Sequence, residues 1–111
     1  MIMKPVALSE LTLAKFSELL NGPFRVLVDQ STVVLLRLVA ATGHSSAAEA
    51  RTSQENFSLL FRGPLDRFLP QRMYSFEQEQ FGQFDLFIVP IGRDAEGFQY
   101  EAFFNREGKR T

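Results

Sequence analysis

From Phe24 onward apolar and polar residues alternate with a period of two, and that rhythm confines most of the chain to β structure. Successive side chains of a strand point to opposite faces, so each alternating run buries one face and turns the other outward. Phe24, Val26 and Val28 alternate with Arg25 and Asp29. Residues 32–41 are dominated by Val and Leu, which favour strand, and Asp29-Gln30-Ser31 is a turn candidate between the two runs. Together they read as a hairpin. Phe57, Leu59 and Phe61 alternate next, and Gly63-Pro64 and Leu69-Pro70 bracket an irregular link. Residues 73–79 place Tyr74 and Phe76 on one side and Ser75 and Glu77 on the other. Gln80-Phe81-Gly82 marks a turn in which glycine suits a positive φ. Phe84, Leu86 and Ile88 carry the alternation up to Pro90, and residues 92–97 read as a loop. Phe98, Tyr100, Ala102 and Phe104 form the last run, with Gln99 and Glu101 facing away.

Ahead of this pattern, Leu13, Phe16 and Leu20 recur at helical spacing, so residues 9–20 read as a short helix with Ser9 as N-cap. Asn21-Gly22-Pro23 ends it, because Gly suits the left-handed position after a helix and Pro cannot continue one. Short links imply antiparallel neighbours, and antiparallel strands need closure or a second layer to hide their edges. The expected fold is therefore mainly β: about six antiparallel strands forming a small up-and-down barrel or strongly curved sheet. One short N-terminal helix covers an open end or edge. A two-sheet sandwich is the second choice.

The 111 residues suit a single domain spanning 1–111, with a polar loop over 42–56 and a frayed polar tail over 106–111. The loop is expected to hold at most one helical turn near Ala47–Arg51. The core is supplied by 12 Phe, with 2 Tyr and no Trp, and Phe brings area without a polar group that needs a partner. A net charge of −1 gives no phosphate-binding field, which speaks against nucleic acid as a partner. With no cysteine there is no disulfide, thiol catalysis or thiolate metal site, and cytoplasmic residence is the expectation. Residues 1–5 carry no apolar signal core. The longest apolar run, 33–41, is broken by Arg37 and falls short of the about 20 residues that span a bilayer.

Candidate chemistry is sparse. His44, the one histidine, sits beside Ser45 and Ser46, but a triad also needs an orienting carboxylate and an oxyanion pocket, so a solvated loop residue is expected. Glu77, Glu79 and Asp85 cluster on one hairpin; a hydrolytic pair belongs in a cleft, and edge-protecting charges explain them more simply. Asp94 and Glu96 offer too few oxygens for calcium. No Gly-rich phosphate cradle is present. Arg62, Arg67 and Arg72 recur at a spacing of five without aromatic interleaving, and are expected to pair with Asp66 and nearby acids. Arg106, Lys109 and Arg110 read as an exposed end.

Four stretches, Phe57-Ser-Leu-Leu-Phe-Arg-Gly-Pro64, Leu69-Pro70-Gln71 followed by Tyr74, Asp85-Leu-Phe-Ile-Val-Pro-Ile-Gly92 and Tyr100-Glu-Ala-Phe-Phe-Asn105, resemble an uncharacterised bacterial domain family of unknown function. The resemblance lies mainly over 57–105. It implies short, stand-alone β-rich proteins, sometimes encoded near phage-tail-collar-like proteins, and it assigns no functional residue.

The remaining functional signal is a surplus of apolar residues on the outward positions of the strands. If Val26, Phe61, Ile88 and Tyr100 face the core, then Leu27, Val33, Leu35, Val39, Leu60, Phe87 and Phe103 point away. The possible partner surface comprises Leu27, Leu35, Val39, Leu60, Phe87 and Phe103; the competing reading is that some of these are covered or belong to a second buried face. The expected function is a non-catalytic protein-interaction or assembly module, phage-tail-like or self-associating, with no cofactor. A barrel enclosing a small apolar ligand is the alternative, and a hydrolase is the least favoured.

Overall fold

The computed structural model describes residues 5–6, 10–44 and 56–105. The polar segment expected to loop, the helical turn expected near Ala47, and the tail lie largely or wholly outside them. One helix, α1 (Leu13–Ser17), precedes six strands: β1 (Pro23–Asp29), β2 (Thr32–Gly43), β3 (Asn56–Gly63), β4 (Arg72–Gln78), β5 (Gly82–Asp94) and β6 (Gly97–Asn105). The strands close into an antiparallel barrel in the order β1-β2-β3-β6-β5-β4, so the barrel among the two expected forms is realised and the sandwich is not.

The barrel consists of two three-stranded meanders with the same connectivity. In the first, β2 pairs with β1 through residues 32–37 and with β3 through residues 37–43. In the second, β5 pairs with β4 through residues 82–88 and with β6 through residues 89–94. A small barrel bends its long strands sharply, and a register shift serves that bend in both: between Leu38 and Ala40 in β2, and between Pro90 and Gly92 in β5. Pro90 is tolerated inside a strand because it stands at that irregularity. The meanders meet along β3–β6, paired over all eight residues of β3, and along β1–β4, paired only at Arg25–Glu77, Val26–Phe76 and Leu27–Ser75.

The inward positions are those the alternation assigns. Phe24, Val26, Leu36, Phe57, Phe61, Phe76, Ile88 and Tyr100 are buried within the barrel. Phe16 of α1 is fully buried and packs its ring against Phe24, Phe57, Phe81, Phe84 and Phe104 at centroid distances of 4.8–6.2 Å. It thereby stoppers one end of the barrel, the role expected of the N-terminal helix.

Three boundaries differ from expectation. The helix is only five residues long: Thr12, not Ser9, is its N-cap, accepting a hydrogen bond from the Lys15 N–H at 3.2 Å. Residues 18–20 are a turn, and Asn21 rather than Gly22 takes the left-handed conformation at φ 70°. Both β2 and β5 run further than the hydrophobic alternation, to Gly43 and Asp94, so residues 92–94 are strand and the turn is only Ala95-Glu96. Pairing with the neighbouring strand extends them where composition does not. Gly97, at φ 151°, follows that turn and lies so close to β3 that an added Cβ would collide with the Gly63 carbonyl oxygen.

Candidate functional site

The interior is occupied by side chains, so the surface features worth weighing lie on the outer wall. Five residues of the expected partner surface lie on outward positions and Val39 falls at the β2 register irregularity; around a closed barrel the six fall into separate groups. Leu35 is exposed and Leu27 half-buried on the β1–β2 wall, where Leu27 stands opposite exposed Val33. Val39 and Leu60 are half-buried on β2 and β3. Phe87 is exposed on β5 opposite exposed Met73 of β4. Phe103 is exposed on β6, opposite Ser58 of β3.

An open groove of about 590 Å³ lies on the outer wall where β2 and β3 part company. Beyond Arg37–Arg62 the two strands no longer pair, and residues 33–36 are held by β1 alone. Exposed Val33 and Leu35 line one side, and Gly63, Pro64 and Arg67 line the other. That second side belongs to residues 64–71, the link between β3 and β4. Leu69 of the link is buried over the barrel's other end. Its N–H donates to the Tyr100 hydroxyl at 3.0 Å, and that hydroxyl donates to the Arg67 carbonyl at 3.4 Å. The Tyr74 hydroxyl donates to the Pro70 carbonyl at 2.7 Å. Burial raises the pKa of both phenols, against the opposing effect of the Arg72 guanidinium at Tyr74.

Arginine dominates the electrostatics of the groove. Arg37 and Arg62 stand directly opposite one another, an arrangement that costs stability unless one charge is answered. Arg62 is answered: its Nη1 donates to Asp94 at 2.9 and 3.2 Å and to Glu96 at 3.2 Å. The Glu96 N–H, with the Arg62 guanidinium, holds the Asp94 carboxyl below the usual carboxylate range. Arg37 and Arg67 form no ion pair among the described residues. The groove is thus apolar along β2 and carries two positive charges with no ion pair among the described residues.

The other candidates settle as follows. Asp66 does not serve the arginines as expected: Asp94 and Glu96 hold Arg62, while Arg72 donates to the Val28 carbonyl and lies over the Tyr74 ring. Glu77 pairs with Arg25 at 3.3 Å, and Asp85 accepts from the Ser75 hydroxyl at 3.3 Å, so these two carboxylates do not converge. No set of three metal-ligating side chains gathers among the described residues. His44 is exposed; its Nε2 lies 3.0 Å from the Ser58 hydroxyl and its ring 5.7 Å from Phe103. Ser58 was not legible as its partner, because only the β2–β3 register brings the two together. Arg37 did leave a signal, as the single charge inside the apolar run 33–41.

Residues 11–104 match a family model described as Domain of unknown function (DUF6916). The chain belongs to this family. The match reaches into the first meander and α1, beyond the 57–105 segment that carried the resemblance. Neither a curated protein nor a solved structure matches the chain. No helix among the described residues is long and apolar enough to cross a membrane.

Proposed function

We propose that this DUF6916 chain is a non-catalytic interaction or assembly module that engages a protein partner, or a second copy of itself, through its outer wall. The observation that carries this reading is the duplicated use of apolar side chains. The inward positions already fill the barrel, yet Val33, Leu35, Met73, Phe87 and Phe103 are all about half exposed on the outward positions of the same strands. They form small local groups, Val33 with Leu35 along β2 and Met73 opposite Phe87 on β4 and β5, and apolar patches on a small protein are characteristic of contact surfaces. The packed rings along the barrel axis weigh against an enclosed ligand, and the dispersed carboxylates weigh against hydrolysis. The setting the resemblance implies is a bacterial, phage-tail-like assembly, and the lack of cysteine is in keeping with work in the cytosol.

Light scattering over a concentration series, with parallel affinity capture by wild-type and L35S/F87S/F103S protein, tests the proposal. Expected are a mass that rises with concentration, or a bound protein that the variant loses. A strictly monomeric chain that captures nothing beyond what the variant captures overturns it.

A further inference from the structure

Resting on that interaction reading, the geometry points to one mode and one class of partner. We propose that the edge of β2 at residues 33–37 accepts, as an added strand, an extended segment of a partner protein with apolar residues on one face and carboxylates on the other.

The argument starts from the backbone. Leu38 exchanges hydrogen bonds with the β1 side, donating to the Gly22 carbonyl at 3.2 Å and accepting from the Asn21 N–H at 2.6 Å. Backbone groups alternate in direction along an antiparallel strand, so residues 34 and 36 share that side. Those of Val33, Leu35 and Arg37 then point to the opposite edge. Arg37 meets β3 there, but Val33 and Leu35 lie beyond the last β2–β3 pair and face the groove. An open edge of this kind is a template for another strand.

The second meander shows the same edge in use. Residues 82–88 of β5 are likewise paired to only one neighbouring strand, β4. There an extended piece of the chain lies against the far edge: Pro5 bridges Gln83 in parallel and the Val6 N–H donates to the Gln83 carbonyl at 2.9 Å. The edge of β2 has no such cover among the described residues. Natural barrels protect their edges, so an edge that is bare among the described residues points to a partner that covers it.

Charge then selects the partner. Arg37 at the foot of the edge and Arg67 across the groove are exposed and unpaired among the described residues, while Arg62 is already answered. Val33, Leu35 and Arg37 share the outward face of β2, so an added strand sets its apolar face inward, beside Val34 and Leu36 at the groove floor, and turns its carboxylates outward to the guanidiniums. The same argument disfavours a basic segment.

The test titrates isotope-labelled full-length protein with a blocked octapeptide alternating valine and glutamate, following backbone amides by NMR. A peptide alternating valine and lysine and an acidic peptide with a central proline are the controls. Saturable shifts at the amides of Val33 and Leu35 are expected with the first peptide only. R37E/R67E, at two exposed positions, should bind the acidic peptide about tenfold more weakly and gain binding of the lysine peptide. Absence of saturable shifts at 33–37, equal response to all three peptides, or binding indifferent to R37E/R67E overturns the inference. The interaction reading is judged separately by L35S/F87S/F103S: partner capture that survives R37E/R67E but is lost in that variant leaves the module standing and removes this site.

Discussion

Replacing Tyr100 by Phe should cost about 2 kcal/mol of folding stability while leaving the barrel closed. The ring is fully buried, and Phe retains its area, so no cavity opens. What is lost is one oxygen with two partners. The contact donated to Arg67 is long, at 3.4 Å, and contributes little. The bond accepted from the Leu69 N–H is short, at 3.0 Å, and buried. Without it that N–H remains in an apolar place with nothing to donate to, which costs about 1–3 kcal/mol. The Tyr74→Phe variant supplies the internal comparison. It removes only a donated bond to Pro70, whose carbonyl keeps a free route to water because Pro70 is exposed, and the loss should be about 1 kcal/mol. Urea denaturation followed by far-ultraviolet circular dichroism measures both. A Tyr100→Phe loss below that of Tyr74→Phe would refute the claim that Leu69 is the buried anchor of the link.

Four further outcomes follow from the same geometry. The folded chain should hold both phenols protonated above pH 10, seen as a delayed phenolate absorbance with no tryptophan to obscure it; the folded state then binds more protons than the unfolded one, so stability is complete below about pH 10 and falls as pH rises above it. Gly97→Ala should lower stability by about 3 kcal/mol in thermal melts, since the added methyl must displace the Gly63 backbone as well as hold a left-handed φ. Arg37→Glu should raise stability by about 0.5 kcal/mol, replacing a like-charge pair opposite Arg62 with an opposite-charge one, and the gain should shrink in high salt. Phe16→Ala should cost about 4 kcal/mol and expose the barrel's end to a hydrophobic dye, because the helix is too short to stay docked without its plug.

The strands were legible because a half-buried strand writes its own period into the sequence. Phe57-Leu59-Phe61 and Phe84-Leu86-Ile88 carry that period, and all six are buried. The helix was legible only as an apolar plug: Leu13 and Phe16 set the spacing, but five residues leave no room for a second turn, and the cap passed to Thr12. Strand ends were misread where ladder bonds outrun composition, as at Gly92, Arg93 and Asp94. The candidate site was half legible. Its apolar members sit on the wrong parity of β2 and announce themselves, whereas its arginines become significant only through register. Arg37 and Arg62 are 25 positions apart, and nothing local reveals that they face each other or that Asp94 and Glu96 come round the barrel to answer one of them.

Closure itself creates the open edge on which the proposed site rests. Each meander must bend its middle strand so far that the strand changes neighbours halfway, β1 to β3 for β2 and β4 to β6 for β5. Every such change leaves a stretch of edge beside the departing strand. A barrel therefore does not abolish its edges when it is built this way; it concentrates them at two seams. One seam carries Pro5 and Val6 of the chain itself, where the chain's own backbone satisfies the exposed carbonyl of Gln83. The other is flanked by Val33 and Leu35 on one side and by a link anchored through both tyrosines on the other. Polar side chains suit such a place, as at Ser75, Gln83 and Asp85 beside the covered edge, although Met73 and Phe87 on the same outer face are apolar too. Apolar side chains, and arginines without an ion pair among the described residues, cost stability at an open seam, and a complementary strand that completed the sheet would offset that cost.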